Sequence, residues 1–223
     1  MNKIFITSSG TEIGKTFITT SLIKDLKKEN YTVSALKPIL TGFNEKEVSK
    51  SDSALLLEAM GLEVSIENIS KITPWRYKEP LSPNIAAELE NKPILFNELI
   101  DFSLSGTDED LTLIEGIGGV MVPINNKITV IDWIKAIEIP IILVVGTYLG
   151  SLSHSLTAIK CLKSKNIKII GIVVNESYSQ PMSKEKTAKT ISELTGSIPI
   201  TTIPRIVDNK KMPNLIPLIK DYI

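Results

Sequence analysis

The stretch Ser8-Ser9-Gly10-Thr11-Glu12-Ile13-Gly14-Lys15-Thr16 carries residue types suited to holding phosphate. It follows the apolar run Ile4-Phe5-Ile6. It precedes Phe17, Ile18, Ser21, Leu22 and Leu26, which recur at helical spacing. A strand, a glycine-containing turn and then Gly-Lys-Thr opening a helix is the layout of a phosphate-binding loop. Backbone N–H groups at a helix N-terminus point at an anion, and the helix dipole favours negative charge there. Lys15 would reach the outer phosphates, and the Thr16 hydroxyl would take a Mg²⁺ position. The strict motif has glycine where this chain has Ser9, with Gly10 one residue late. A bare Gly-Lys-Thr arises often by chance, so the flanking strand and helix carry the weight. The alternative for this stretch alone is a plain strand-to-helix turn with an exposed lysine.

Other reactive residues fall at comparable places. Lys37 closes a strand expected over 31–37, where Pro38 stops it. A lysine there lies on the edge where open α/β sheets bind ligands. Asp52 opens a helix expected over 52–60, with Ser51 or Asp52 as its N-cap; a carboxylate there is either a cap or a Mg²⁺ ligand. Glu115 ends a strand expected over 110–115 and runs into Gly116-Ile117-Gly118-Gly119, whose glycines let backbone approach a ligand. An acidic residue after an apolar strand suits Mg²⁺ or its water beside a phosphate. Gly150-Ser151-Leu152-Ser153 opens a second helix able to face an anion, and His154 in its first turn reads as structural.

The positioning elements follow from hydrophobic patterning. Ile139 to Val145 and Ile167 to Val174 are continuous apolar runs, as strands buried on both faces should be. A last strand is expected over 198–203, ending at Pro204-Arg205. Helices are expected over 85–90, 96–104, 150–162, 182–194 and, briefly, 215–223, with a short helix or turn over 130–136. Residues 61–83 read as a long irregular loop with Pro74, Pro80 and Pro83. Alternating strands and helices predict an α/β fold, a mainly parallel sheet with helices on both faces, in one domain over residues 1–223. Lys15, Thr16, Lys37, Glu115, Gly150, Asn175 and Pro204 all fall at or just after strand C-terminal ends, along one edge.

Composition excludes several classes. Lys plus Arg equals Asp plus Glu at 25 each, so no broad basic surface for nucleic acid is expected. Cys161 is the single cysteine, so no internal disulfide forms; its helical context favours packing. The single His154 argues against a His-rich metal site or a Ser-His-Asp triad. The apolar start breaks at Thr7-Ser8-Ser9, and no run is long enough to span a bilayer, so a cytoplasmic protein without membrane partners is expected. Lys160, Lys163, Lys165 and Lys168 read as a solvated face.

Several motifs in the same order resemble dethiobiotin synthetases, a P-loop NTPase-like family. They are Thr11 to Thr16, Lys37-Pro38 with Thr41-Gly42, Ser51-Asp52-Ser53-Ala54-Leu55, Glu79-Pro80-Leu81-Ser82-Pro83 and Glu115 to Val120. Leu143-Val144-Val145-Gly146, Leu149-Gly150, Val174-Asn175 and Ile203-Pro204 extend the likeness over nearly the whole chain. The resemblance implies a cyclo-ligase that closes the ureido ring of dethiobiotin from 7,8-diaminononanoate and CO₂, using ATP and Mg²⁺. It also implies a homodimer with substrate across the interface. Lys37 and Lys15 are the implied catalytic residues, holding a substrate carbamate that attacks the γ-phosphate. Thr16, Asp52 and Glu115 are the implied Mg²⁺ ligands. Implied nucleotide contacts are Glu12, Ile13, Gly14, Lys15, Thr16, Phe17, Asp52, Glu115, Gly116, Ile117, Gly118, Asn175, Glu176, Pro204, Arg205 and Ile206. Implied substrate contacts are Thr11, Glu12, Lys37, Thr41, Ser82, Gly150, Ser151, Leu152 and Ser153. The last group would cradle the substrate carboxylate from the other subunit.

Two positions depart from the family pattern. The family's loop begins with Gly-Thr before an acidic residue, where this chain has Ser8-Ser9-Gly10. That bears on local backbone shape and nucleotide affinity. The family often has Asn where this chain has Ser153, whose hydroxyl can still donate. The competing reading is a P-loop ATPase switch that positions proteins or membranes. It would carry an extra lysine early in the loop and often a C-terminal amphipathic helix, neither evident here. A third, the ATP-dependent amidation domain of cobalamin-pathway enzymes, usually comes with a glutaminase domain that this chain has no room for.

Overall fold

The computed structural model describes residues 2–106, 108–205 and 213–223. Six strands form one parallel sheet: β1 (Asn2–Ser8), β2 (Val33–Leu36), β5 (Leu111–Glu115), β6 (Ile141–Val145), β7 (Ile169–Asn175) and β8 (Ile200–Ile203). Their spatial order is β2-β5-β1-β6-β7-β8. β5 and β6 are buried at every position, because helices must cover both faces of a parallel sheet.

The helices are α1 (Lys15–Lys28), α2 (Asp52–Met60), α3 (Ile66–Ile72), α4 (Pro83–Leu89), α5 (Phe96–Leu104), α6 (Val130–Ile137), α7 (Ser151–Ser164) and α8 (Lys184–Thr195). From β1 the chain steps through α1 toward the β2 edge, whereas from β6 it steps through α7 toward the β8 edge. Right-handed crossovers then set α1 and α7 on opposite faces. The strand order reverses between β1 and β6, the kind of point at which open α/β sheets bind ligands.

The expected strands and long helices are present, with ends shifted by a few residues. Residues 61–83 are the main correction. They hold α3, capped by Ser65, and a strand, β4 (Trp75–Tyr77). β4 pairs in parallel with β3 (Ile39–Thr41), where a polar connection was expected from Thr41 onward. Pro38 ends β2 as anticipated, and its carbonyl accepts from the Trp75 N–H, which starts the second small sheet. Ser51, not Asp52, caps α2: its hydroxyl accepts from the Ala54 N–H. The C-terminal segment forms two 3₁₀ turns, Ile216–Leu218 and Lys220–Tyr222, instead of one helix. Leu215, Leu218 and Ile219 are buried as expected.

The core runs along the sheet. Phe5 on β1 meets Trp133 on α6 edge to face at 4.7 Å, and the Trp133 indole N–H donates to the Ser103 hydroxyl. Cys161 is half-buried and packs against the core, as its helical context suggested. Lys160, Lys163, Lys165 and Lys168 are exposed, as a solvated face should be. No described helix is long and apolar enough to cross a membrane.

Candidate active site

The loop after β1 reaches α1 through Gly14, whose φ of 97° is left-handed. A side chain at that position would place Cβ 2.3 Å from the Asn175 amide nitrogen, so glycine is required twice over. No side chain caps α1, which leaves its first N–H groups for an anion. Ser8 is the last residue of β1 and has no left-handed φ. The backbone there does not depend on glycine. The glycines after β5 also permit close packing within the protein. A Cβ on Gly116 would meet the Phe5 ring at 2.8 Å, and one on Gly119 would meet the Gly10 backbone at 3.1 Å.

An ion cluster sits where β1, β2 and β5 end. Glu115 is fully buried and accepts from Thr16 Oγ1 at 2.8 Å, Thr19 Oγ1 at 2.7 Å and Lys37 Nζ at 2.7 Å. Lys37, 3% exposed, also donates to the Gly116 carbonyl at 3.0 Å and lies 3.3 Å from Asp52 Oδ2. Burial pushes the Lys37 ammonium toward deprotonation, but the Glu115 and Asp52 carboxylates outweigh it and hold its pKa above the ordinary lysine value. Lys15 is nearly as buried and donates to the Gly118 carbonyl at 2.9 Å and to Ser8 Oγ at 3.1 Å. Burial, then the charge of Lys37, lowers the Lys15 pKa to about 8, with Glu115 and Asp52 opposing. Thr19 was not anticipated from sequence. It sits one helical turn beyond Lys15 and Thr16, a spacing that would have placed it on the same face.

A cavity of about 490 Å³ opens over this cluster. Thr11, Glu12, Gly14, Lys15, Thr16, Lys37, Thr41, Asp52, Ile117 and Gly118 line it, so the expected loop, lysine and Asp52 positions are brought together. Leu40 and Pro80 line it as well and were missed, because β3 and the 79–82 turn reach it only through tertiary packing. Phe17 points outward and is 39% exposed. A second group forms at the ends of β7 and β8. The Asn175 amide donates to the Ile13 carbonyl at 2.9 Å. Glu176 accepts from the Arg205 N–H at 2.6 Å, beside Pro204, and the Arg205 guanidinium stacks on Tyr178. Ile206 lies outside the described residues.

Ser82 and Gly150 to Ser153 do not line the lysine-bearing cavity. The Ser82 hydroxyl lies 2.7 Å from Asn84 Oδ1, with Ser82 preceding α4. Ser151 is buried, with its carbonyl accepting from Ser155. Leu149, just before, is 85% exposed. The His154 ring pairs with the Tyr148 hydroxyl at 2.8 Å, in keeping with a structural role.

The family model described as an AAA domain matches residues 2–212. The ATP-dependent dethiobiotin synthetase of Acidiphilium cryptum is 37% identical over 203 residues, covering 89% of this chain and 91% of that protein. That of Bacillus subtilis strain 168 is 31% identical over 224 residues, covering 100% of this chain and 95% of that one. The chain belongs to the dethiobiotin synthetase family. Among solved structures, a ParA family ATPase from Chlorobium tepidum matches with a TM-score of 0.54 at 16% identity, over 93% of this chain and 86% of that one. The septum site-determining protein MinD of Pyrococcus horikoshii, complexed with Mg-ADP, matches at 0.53 and 17%, over 92% and 82%. At such identity these two establish a shared fold only. Within this fold, Lys15, Lys37, Glu115 and Asp52 form one cluster of mutually interacting charges beside the cavity.

Proposed function

We propose that this protein closes the ureido ring of dethiobiotin, joining 7,8-diaminononanoate and CO₂ at the expense of ATP. The observation that carries this reading is the pair of buried ammonium groups, Lys15 and Lys37, on the wall of one cavity, in a chain whose curated relatives are named for that synthesis. The reaction must bring two anions together. One substrate amine adds to CO₂ and loses a proton, giving a carbamate. A carbamate oxygen then attacks the γ-phosphorus, and ADP departs. The second amine attacks the carbamoyl carbon of the resulting carbamic-phosphoric anhydride, and phosphate departs with closure of the ring. Positioning and charge neutralisation are what a protein can supply to such a sequence.

Hydrogen-bond counting supports a division of roles. Lys15 has three N–H donors and two acceptors in the protein, Ser8 and Gly118, which leaves one proton for a phosphate oxygen. Lys37 has all three directed at protein: Glu115, Gly116 and, longest, Asp52. Asp52 is the displaceable partner, because its side chain is 41% exposed. When Asp52 turns away, Lys37 gains a proton for the carbamate, and Thr41 on the same cavity adds a hydroxyl.

Thr16, Asp52 and Glu115 offer a hydroxyl and two carboxylates within one cluster, a hard oxygen donor set that fits Mg²⁺ bound mainly through phosphate and water. Bound there, the ion would neutralise charge on the β- and γ-phosphates. Glu12 to Phe17 would wrap the phosphates. Asn175, Glu176, Pro204, Arg205 and Ile206 would flank the base, with Gly116 to Gly118 beside the γ-phosphate. Thr11, Glu12 and Ser82 would face the diamine. The remaining substrate contacts, Gly150 to Ser153, would come from a second copy in a homodimer. That is supported by their place outside the lining of the lysine cavity and by the exposure of Leu149. We read residues 1–223 as one domain acting in the cytoplasm, with no nucleic acid or membrane partner. The test is phosphate release from ATP with and without diamine and bicarbonate. Release that requires both supports the synthetase; release independent of either refutes it.

A further inference from the structure

Ser8 stands where the loop of the family begins with glycine, and its hydroxyl is drawn into the site. The residue is fully buried. Its Oγ lies 2.5 Å from the Gly10 carbonyl and 3.0 Å from the Gly118 carbonyl, and it accepts from Lys15 Nζ at 3.1 Å. A hydroxyl has one proton. If that proton goes to Gly10, the Gly118 carbonyl is left to Lys15, which donates to it at 2.9 Å. The result is a closed set of contacts joining the end of β1, the middle of the loop, the first residue of α1 and the turn after β5. Glycine at position 8 would provide no such acceptor. Lys15 would then be held by the Gly118 carbonyl and the surrounding charges alone.

We propose that Ser8 is a positioning residue: its hydroxyl pre-sets the Lys15 ammonium so that the remaining proton meets the β- and γ-phosphates of ATP. Lys15 carries four side-chain carbons, and an unrestrained ammonium loses rotamer freedom when phosphate arrives. An acceptor already in place removes part of that loss before the nucleotide binds. The effect must therefore depend on phosphate groups that Lys15 touches. AMP, which lacks them, should be indifferent. This inference rests on the nucleotide site put forward under Proposed function.

The test is calorimetric titration of ATP and AMP into wild type, Ser8→Ala, Lys15→Ala and the double variant. Ser8→Ala is expected to weaken ATP about tenfold, the worth of one hydrogen bond to a charged group. AMP affinity should stay within about twofold, and in the Lys15→Ala background the same change should move ATP less than about twofold, as residues acting in series do. Ser8→Gly, which adds no methyl group in place of the hydroxyl, should reproduce the selective loss and serves if the alanine variant does not fold. An equal loss for AMP, an undiminished loss in the Lys15→Ala background, or unchanged or tighter ATP binding would overturn the role of Ser8. Wild type that fails to prefer ATP over AMP would overturn the nucleotide site and this inference together.

Discussion

Replacing Glu115 with Gln keeps the shape of the side chain and removes its charge. Glu115 is fully buried, and the Lys37 ammonium 2.7 Å away is 3% exposed. Breaking a buried ion pair by removing one partner costs about 3–5 kcal/mol, because the remaining charge is left in a poor solvent. Here Asp52 still lies 3.3 Å from Lys37, so the lower end applies, about 3 kcal/mol. For a domain of this size each kcal/mol lowers the melting temperature by about 2–4 °C, giving a fall of about 6–12 °C for Glu115→Gln. Asp52→Asn should behave differently. Its side chain is 41% exposed, where such a pair is worth under about 1 kcal/mol, so its melting temperature should fall by no more than about 4 °C. Removing both buried charges, in Glu115→Gln with Lys37→Met, should give a protein more stable than Glu115→Gln alone. Thermal unfolding of the set in one buffer reads all of this. Glu115→Gln melting within about 2 °C of wild type, or a double variant no better than that single one, would show that the pair is not dry and that the reasoning is wrong.

Lys37→Ala should abolish dethiobiotin formation, followed by mass spectrometry, while ATP affinity remains within about tenfold of wild type, since Lys15 and the α1 N-terminus hold the phosphates; unimpaired product formation would remove Lys37 from the mechanism. For Lys15, the value in the fold is about 8 against an ordinary 10.5. Below pH 8 both folded and unfolded chains hold that proton, and between the two values only the unfolded chain does, so this group adds stability as pH rises through the window. Denaturant titrations of wild type and Lys15→Met across it should show wild type gaining on the variant by a few kcal/mol, with wild-type ATP affinity falling over the same range; a stability difference flat with pH would contradict the burial argument.

Local pattern determined a large part of this protein. The largely apolar runs at 4–6, 111–114, 141–145 and 169–174 become strands because a parallel sheet covered on both faces needs mostly apolar sequence. Helical spacing set α2 and α5 almost to the residue, and Pro38 and Gly14 marked their turns through fixed backbone preferences. Lys15, Lys37 and Glu115 were legible because each ends a strand or begins the helix after one, and parallel strands bring those ends to a common edge. The three-residue strands β3 and β4 were not legible, since neither is stable without the other and they are far apart in sequence. Leu40 and Pro80 reach the cavity by that pairing, and Thr19 reaches Glu115 only once α1 lies along β5. Ser8 is the clearest division. Sequence marked it as a residue out of pattern; the packing of the Gly118 turn against the loop is what places its hydroxyl on Lys15, whose pKa burial and then Lys37 lower against Glu115 and Asp52. Charge states and hydrogen-bond partners of buried groups depend on neighbours brought from distant strands, and those neighbours exist only in the folded chain.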